Sequence, residues 1–168
     1  MAAGFYSQPL TQRINFEGLQ RRFWVLFGIL RDLADLTARI WVAQVFFTSG
    51  LSKLADWDTT LVLFKYVYTT PLIPSTLAAY LGTGVELIFP VLLVLGLGGR
   101  FFLFCFFIYN IICVLSFHFL WTAAGTAGFD DHILWGMILM LLMFHGMGRL
   151  SLDCLIHKKF GPLLQHRS

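Results

Sequence analysis

Residues 76–98 read TLAAYLGTGVELIFPVLLVLGLG, an apolar run interrupted by a single charge, Glu86. About 20 apolar residues of helix cross a bilayer, so a run of this length reads as a membrane span. A carboxylate near its middle costs about 2.5–3.5 kcal/mol to insert. Such a group faces a partner or a wet cavity, not lipid. A second run, 101–121, follows after Gly98-Gly99-Arg100, too short a connection for anything but a tight turn between antiparallel helices. Of the 168 residues 58% are hydrophobic and 12% charged, against about 25% charged in soluble domains. These figures exclude an ordinary soluble globule and point to one polytopic helical membrane domain.

Two further spans complete the expected bundle. Span 1 covers 36–54, opening near Arg39, whose side chain is expected to snorkel to the headgroups, and closing at Lys53. Span 4 covers 132–148, with Asp130-Asp131-His132 as its cap. Ahead of span 1, residues 14–30 place Arg21 and Arg22 before Phe23, Trp24 and Phe27 and read as an amphipathic interfacial helix; residues 1–12 read as a frayed polar start. Between spans 1 and 2, Asp56-Trp57-Asp58-Thr59 marks the start of a short greasy surface helix, capped by Asp56 and ended before Pro71 and Pro74. The expected fold is all-α: a polytopic membrane four-helix bundle with an N-terminal amphipathic helix and a short extracytoplasmic surface helix. Its divisions are 1–32, an interfacial segment; 33–155, the four-span domain; and 156–168, a cytoplasmic tail.

Charge sets the orientation. Arg13, Arg21, Arg22, Arg31, Arg39, Arg100, Arg149, Lys158, Lys159 and Arg167 fall on the side of the termini, and only Lys53 and Lys65 on the other. The positive-inside rule puts both termini in the cytoplasm, and the chain is expected in a bacterial inner membrane. The net charge of +3 is a topology signal and implies no nucleic-acid partner. No cleavable signal peptide is legible in the first 30 residues. Cys105, Cys113 and Cys154 form no CxxC and suggest no dithiol chemistry. Met137, Met140, Met143 and Met147 do not share one narrow face, so they read as packing residues and not as a copper site. His118 and His132 lack the matched depth in the core that a haem would require.

Three spans place a polar residue near one depth, counted at about 1.5 Å per residue: Gln44, Glu86 and Asn110. Thr48 lies on the face of Gln44, and Thr83 on the face of Glu86. Lys53, His118 and His132 come nearer the outer surface, so a polar funnel ending at Glu86 is expected. In low dielectric the neutral form of a carboxyl is favoured, so Glu86 is the candidate catalytic, proton-active group. Histidine can relay such a proton to water near neutral pH. The competing reading is interhelical glue, with Gln44 and Asn110 as ordinary packing hydrogen bonds. Asp56 and Trp57 complete the candidate ligand-binding set, although a helix cap explains them equally.

Ser49-Gly50-Leu51-Ser52-Lys53-Leu54 followed by Asp56-Trp57 resembles the SGxxKxxDW signature of the DoxX family. Glu86 with Pro90, Gly96 and Arg100 is similar to its second-span pattern. Gly146-Met147-Gly148-Arg149-Leu150-Ser151-Leu152-Asp153 resembles its closing GxGxxSLD run. The resemblance covers about residues 33–155. It implies four spans with cytoplasmic termini and a link to quinone-connected membrane redox chemistry or oxidative stress. By position it carries over Arg39, Lys53, Asp56, Trp57, Glu86, Arg100 and Asp153.

The expected function is a membrane subunit binding a quinone or similar small apolar molecule within a redox assembly, at most a non-autonomous part of a quinone-linked oxidoreductase. Homo- or hetero-oligomeric partners in the bilayer are expected. The alternatives are a non-enzymatic membrane partner or scaffold in a redox or metal-handling pathway, and a small proton-linked transporter. The transporter is disfavoured because no internal repeat is visible.

Overall fold

The computed structural model describes residues 10–165, with side chains described over 18–159. The reading of the frayed start therefore lies outside the described residues for 1–9, and that of the tail for 166–168. Residues 10–12 are helical. The chain divides between Ala34 and Asp35 into two compact units. Among the described residues the structure is all-α: α1 Leu10–Ala55, α2 Trp57–Tyr66, α3 Ser75–Leu95, α4 Gly99–Ser116, α5 Thr126–His145 and α6 Leu152–Gln165, with 3-10 turns at His118–Trp121 and Ala123–Gly125. Three stretches are long and apolar enough to cross a membrane: Ser75–Leu95, Gly99–Ser116 and Ala123–His145.

In the first unit the large apolar residues Leu19, Phe23, Trp24, Leu26, Phe27 and Leu30 are all exposed. Phe23, Trp24 and Phe27 pack on one another along the helix, with ring centroids 5.8–6.5 Å apart. Both this segment and residues 36–54 are assigned to α1, Leu10–Ala55.

In the second unit Val42, Ala43 and Phe46 of α1 share one core with Leu93 of α3, Leu103 and Phe106 of α4, and Leu139 and Leu142 of α5. Phe46 meets Phe106 edge-to-face at 4.9 Å, a favoured aromatic geometry. The opposite faces stay apolar and exposed, as at Ile88, Phe101, Leu115, Leu141 and Phe144. A helix that is hydrophobic all round suits a lipid surround.

Local chemistry sets the helix ends. Asp56 caps α2, accepting from the Thr59 N–H at 3.0 Å and the Thr59 hydroxyl at 2.7 Å. The buried Thr60 hydroxyl lies 3.0 Å from the Lys53 carbonyl, tying α2 to the end of α1. α3 ends at Gly96 in the left-handed region, φ 66°. A Cβ there would stand 2.5 Å from Ser151 Cβ and 2.8 Å from an Arg39 nitrogen, so only glycine fits. α4 stops at Ser116, short of the expected 121, because Phe117 turns extended and bridges Tyr68; the Thr69 N–H donates to Ser116 O at 2.8 Å. α5 begins at Thr126, not at 132. Asp130, Asp131 and His132 therefore lie inside the helix and do not cap it, Gly125 being the N-cap residue. The helix also ends at His145, before the expected 148.

Arg39 departs from its expected role. It is fully buried and does not snorkel. Its guanidinium donates to Leu150 O at 2.8 Å, Val94 O at 3.3 Å and Asp35 O at 3.4 Å. Val94 O is among the last carbonyls of α3, which have no partner within the helix, and a cation is favoured at that dipole end. Asp153 complements this clamp. Its Oδ2 accepts the first N–H of α4, at Gly99, at 2.7 Å, and its own N–H donates to Gly96 O at 3.3 Å.

Two outcomes follow. Arg39→Met should cost about 3 kcal/mol of stability, from hydrogen bonds to a charged donor worth about 1.5–3 kcal/mol each, read as a lowered unfolding midpoint in mild detergent; Arg39→Lys should recover only part of it. The Thr59 hydroxyl and then the Thr59 N–H hold the Asp56 carboxyl below the usual carboxylate range. A lowered carboxyl stabilises the fold at higher pH and ceases to as pH falls through the lowered value. Exchange protection of the Thr59 and Thr60 amides should thus decline below about pH 4, and the decline should vanish in Asp56→Asn.

Candidate functional site

Glu86 is buried one turn before Pro90 on α3. Proline has no N–H to give the carbonyl four residues back, so the helix ladder is broken at Glu86 O. The Glu86 side chain is engaged on both oxygens. Lys53 Nζ donates to Oε2 at 2.5 Å, and the Tyr109 hydroxyl lies 3.0 Å from Oε1. That hydroxyl is also 3.1 Å from Gly82 O and carries one hydrogen, so it donates to one acceptor at a time. Lys53 spends a second N–H on Ser49 Oγ at 2.8 Å, one turn back on α1, and keeps a third. Lys53 and Glu86 side chains are 13% and 7% exposed, so the pair is largely withdrawn from water.

Gly50 permits the approach. A Cβ at Gly50 would press Leu87 at 3.0 Å and Glu86 Cβ at 3.1 Å, holding α1 off α3 and Lys53 away from the carboxylate. Each part of the run from Ser49 to Trp57 thus has a task. Ser49 steadies the ammonium, Gly50 sets the spacing, Lys53 supplies the charge and Asp56 starts α2, whose Trp57 packs on Tyr80 of α3 with ring centroids 4.8 Å apart.

Thr83, one turn from Glu86, is 3% exposed, and its hydroxyl has no partner among the described residues. Phe64 of α2 packs against Gly82, and Tyr68 meets Phe64 edge-to-face at 4.9 Å, so α2 and the chain after it cover this end of α3. Burial first, then the Glu86 charge, raises the Tyr68 phenol above its ordinary range, and it stays protonated.

The expected constellation is rearranged. Gln44 and Thr48 are exposed, with the Thr48 hydroxyl bonded back to Gln44 O at 2.8 Å and Val45 O at 2.9 Å. Each lies two residues, about 200° of helix, from core-facing Phe46, so neither joins Glu86. Asn110 and His132 form a separate buried join between α4 and α5. The Asn110 amide nitrogen donates to His132 O at 3.0 Å, and its oxygen lies 2.8 Å from His132 Nδ1. With the amide nitrogen committed, the oxygen accepts and Nδ1 carries the proton, leaving Nε2 as the acceptor of the neutral ring. His118 is exposed on the first 3-10 turn, and no polar contact among the described residues links it to Glu86. Asp56 is an exposed cap. Of the candidates, Lys53, Glu86 and Thr83 belong to one end of α3 and its α1 neighbour. The partner of the Glu86 carboxyl is the Lys53 ammonium, a pairing the depth count did not anticipate.

Sequence reasoning missed Ser49 and Tyr109. Ser49 and Lys53 were legible as one helix face, four residues apart. Tyr109 was legible by depth, since counting antiparallel spans from a common surface puts it near Glu86.

Removing one partner of a buried pair strands the other charge, at about 3–5 kcal/mol. Lys53→Met should therefore destabilise by about that much, and Lys53→Met combined with Glu86→Leu by markedly less. Unfolding of the two single variants and the double variant in one detergent measures the difference.

The DoxX family model matches residues 34–119. That segment holds every residue of the Glu86 node. The chain is also similar to an uncharacterized protein of Haemophilus influenzae, 30% identical over 139 residues that span 79% of this chain and 89% of the relative. No solved structure matches. The matched segment carries the SGxxK run, the acid of the second pattern and the partners just described, and the chain belongs to the DoxX family.

Proposed function

We propose that this protein is a four-span subunit of a bacterial inner membrane, with both termini cytoplasmic, that binds a quinone or similar small apolar carbonyl compound in a redox or oxidative-stress assembly. Residues 36–54 of α1 would supply the fourth span. Their two cations lower the hydropathy of the stretch, but both are matched inside the protein, Arg39 by carbonyls and Lys53 by Glu86. About 19 residues at 1.5 Å each suffice to cross the hydrocarbon. The excess of basic residues at the termini supports the orientation. The exposed aromatics of the first unit support its lying in the interface.

The observation that carries the binding reading is the buried Lys53–Glu86–Tyr109 node with donors to spare. The ammonium keeps one N–H, and the nearby Thr83 hydroxyl is unspent. Buried donors without acceptors are costly, and a carbonyl oxygen from a guest is the acceptor such groups suit. Glu86 would be the proton-active member, exchanging a proton with Tyr109 or Lys53 as the guest changes charge. Electrons would come from a partner subunit. A second reading, a non-enzymatic scaffold, is favoured by one fact: both Glu86 oxygens already have protein partners.

Titration of the protein in nanodiscs with a short-chain ubiquinone, followed by tryptophan quenching, tests the first reading. Saturable binding is expected, weakened at least tenfold by Glu86→Gln and about threefold by Thr83→Val. Circular dichroism checks folding, and Tyr109→Phe serves if Glu86→Gln unfolds. A folded wild type that shows no saturable quenching removes the quinone reading and leaves the scaffold.

A further inference from the structure

A hollow of about 460 Å³ opens where α4 begins, α5 ends and α6 starts, and among its walls are Arg100, Met147, Ser151, Asp153 and His157. Its depth in the membrane is fixed by the chain. The turn at 96–98 joins two stretches that can each cross a bilayer, and a third such stretch ends at His145. The hollow therefore sits at headgroup level.

Its charges are set out as a separated pair. Arg100 is exposed and forms no ion pair within 4.0 Å among the described residues, so it does not neutralise Asp153. Asp153 spends Oδ2 on the Gly99 N–H, while Oδ1 remains an open acceptor. Met147 and Ser151 give a buried floor, and the Ser151 hydroxyl is already committed, donating to Gly148 O and accepting from the Cys154 N–H. The charged chemistry on its walls is thus one guanidinium and one carboxylate oxygen, with the exposed His157 imidazole beside them in the lining. Close along the chain to its walls, Phe101 of α4 and Phe144 of α5 are 78% and 71% exposed and offer apolar surface.

We propose that this hollow binds the phosphoethanolamine headgroup of a membrane phospholipid. The phosphodiester oxygens face Arg100, whose planar fork suits phosphate. The ammonium faces Asp153 Oδ1, and the acyl chains run along Phe101 and Phe144. A purely anionic headgroup would leave the carboxylate opposed, and a quaternary ammonium could not donate to it. The inference is independent of the quinone reading and needs only the membrane setting.

Native mass spectrometry of the full chain in mild detergent, with equimolar phosphatidylethanolamine, phosphatidylglycerol and phosphatidylcholine, tests it. One phosphatidylethanolamine should be retained at least fivefold over the other two. Arg100→Gln should lower retention of phosphatidylethanolamine at least fivefold, because the phosphodiester contact is lost, while leaving the unfolding midpoint unchanged, since the side chain forms no ion pair among the described residues. Inorganic phosphate at millimolar concentration should not displace the lipid. Equal retention of the three lipids, preference for phosphatidylglycerol, or displacement by phosphate overturns the proposal.

Discussion

A charge cannot stand alone where water is scarce, and the second unit is arranged around that constraint. Lys53 and Glu86 sit on different helices, both largely buried, with the ammonium on one carboxylate oxygen and a phenol beside the other. Removing either ion from water costs several kcal/mol, and the attraction between them offsets this only when geometry is close and remaining hydrogen-bonding capacity is met. Ser49, Tyr109 and Gly50 meet those terms: two by bonding, one by having no side chain in the way. The pair fixes how α1 approaches α3 more sharply than apolar contact does, because helices in lipid gain little from burying apolar surface against each other.

The same constraint is met differently at the far end of these helices. Arg39 is buried without a carboxylate bonded to its guanidinium and is held by backbone carbonyls instead. Carbonyls at a helix C-terminus carry partial negative charge, so they serve as a distributed counter-ion. Asp153 performs the opposite service for the first N–H of α4. Arg39 and Asp153 therefore close the α3–α4 turn from either side, with Gly96 small enough to admit both Arg39 and Ser151. Sequence position alone groups Arg39, Glu86 and Asp153 as one set of suspects. The fold separates them into a structural clamp at one end and an ion-pair node at the other.

Between these ends, Asn110 and His132 join α4 to α5 and are no part of the Glu86 node. That division was invisible to depth counting. A residue's level along a span follows from its number, whereas its direction around the axis depends on which face the packing turns inward. Gln44 illustrates the gap: right in depth, it lies about 200° from Phe46, on the outer face.

The apolar runs, the turn glycines and the single acid within the 76–98 run follow from the sequence by itself, since hydropathy and span length are local properties that need no partner. So do the all-α class, the Asp56 cap of α2 and the motif that marks the family. Only the tertiary structure decided that Glu86 is paired with Lys53, that Tyr109 completes the node and that Arg39 faces inward. Each of these depends on what stands opposite across a helix interface, and that partner is tens of residues away along the chain.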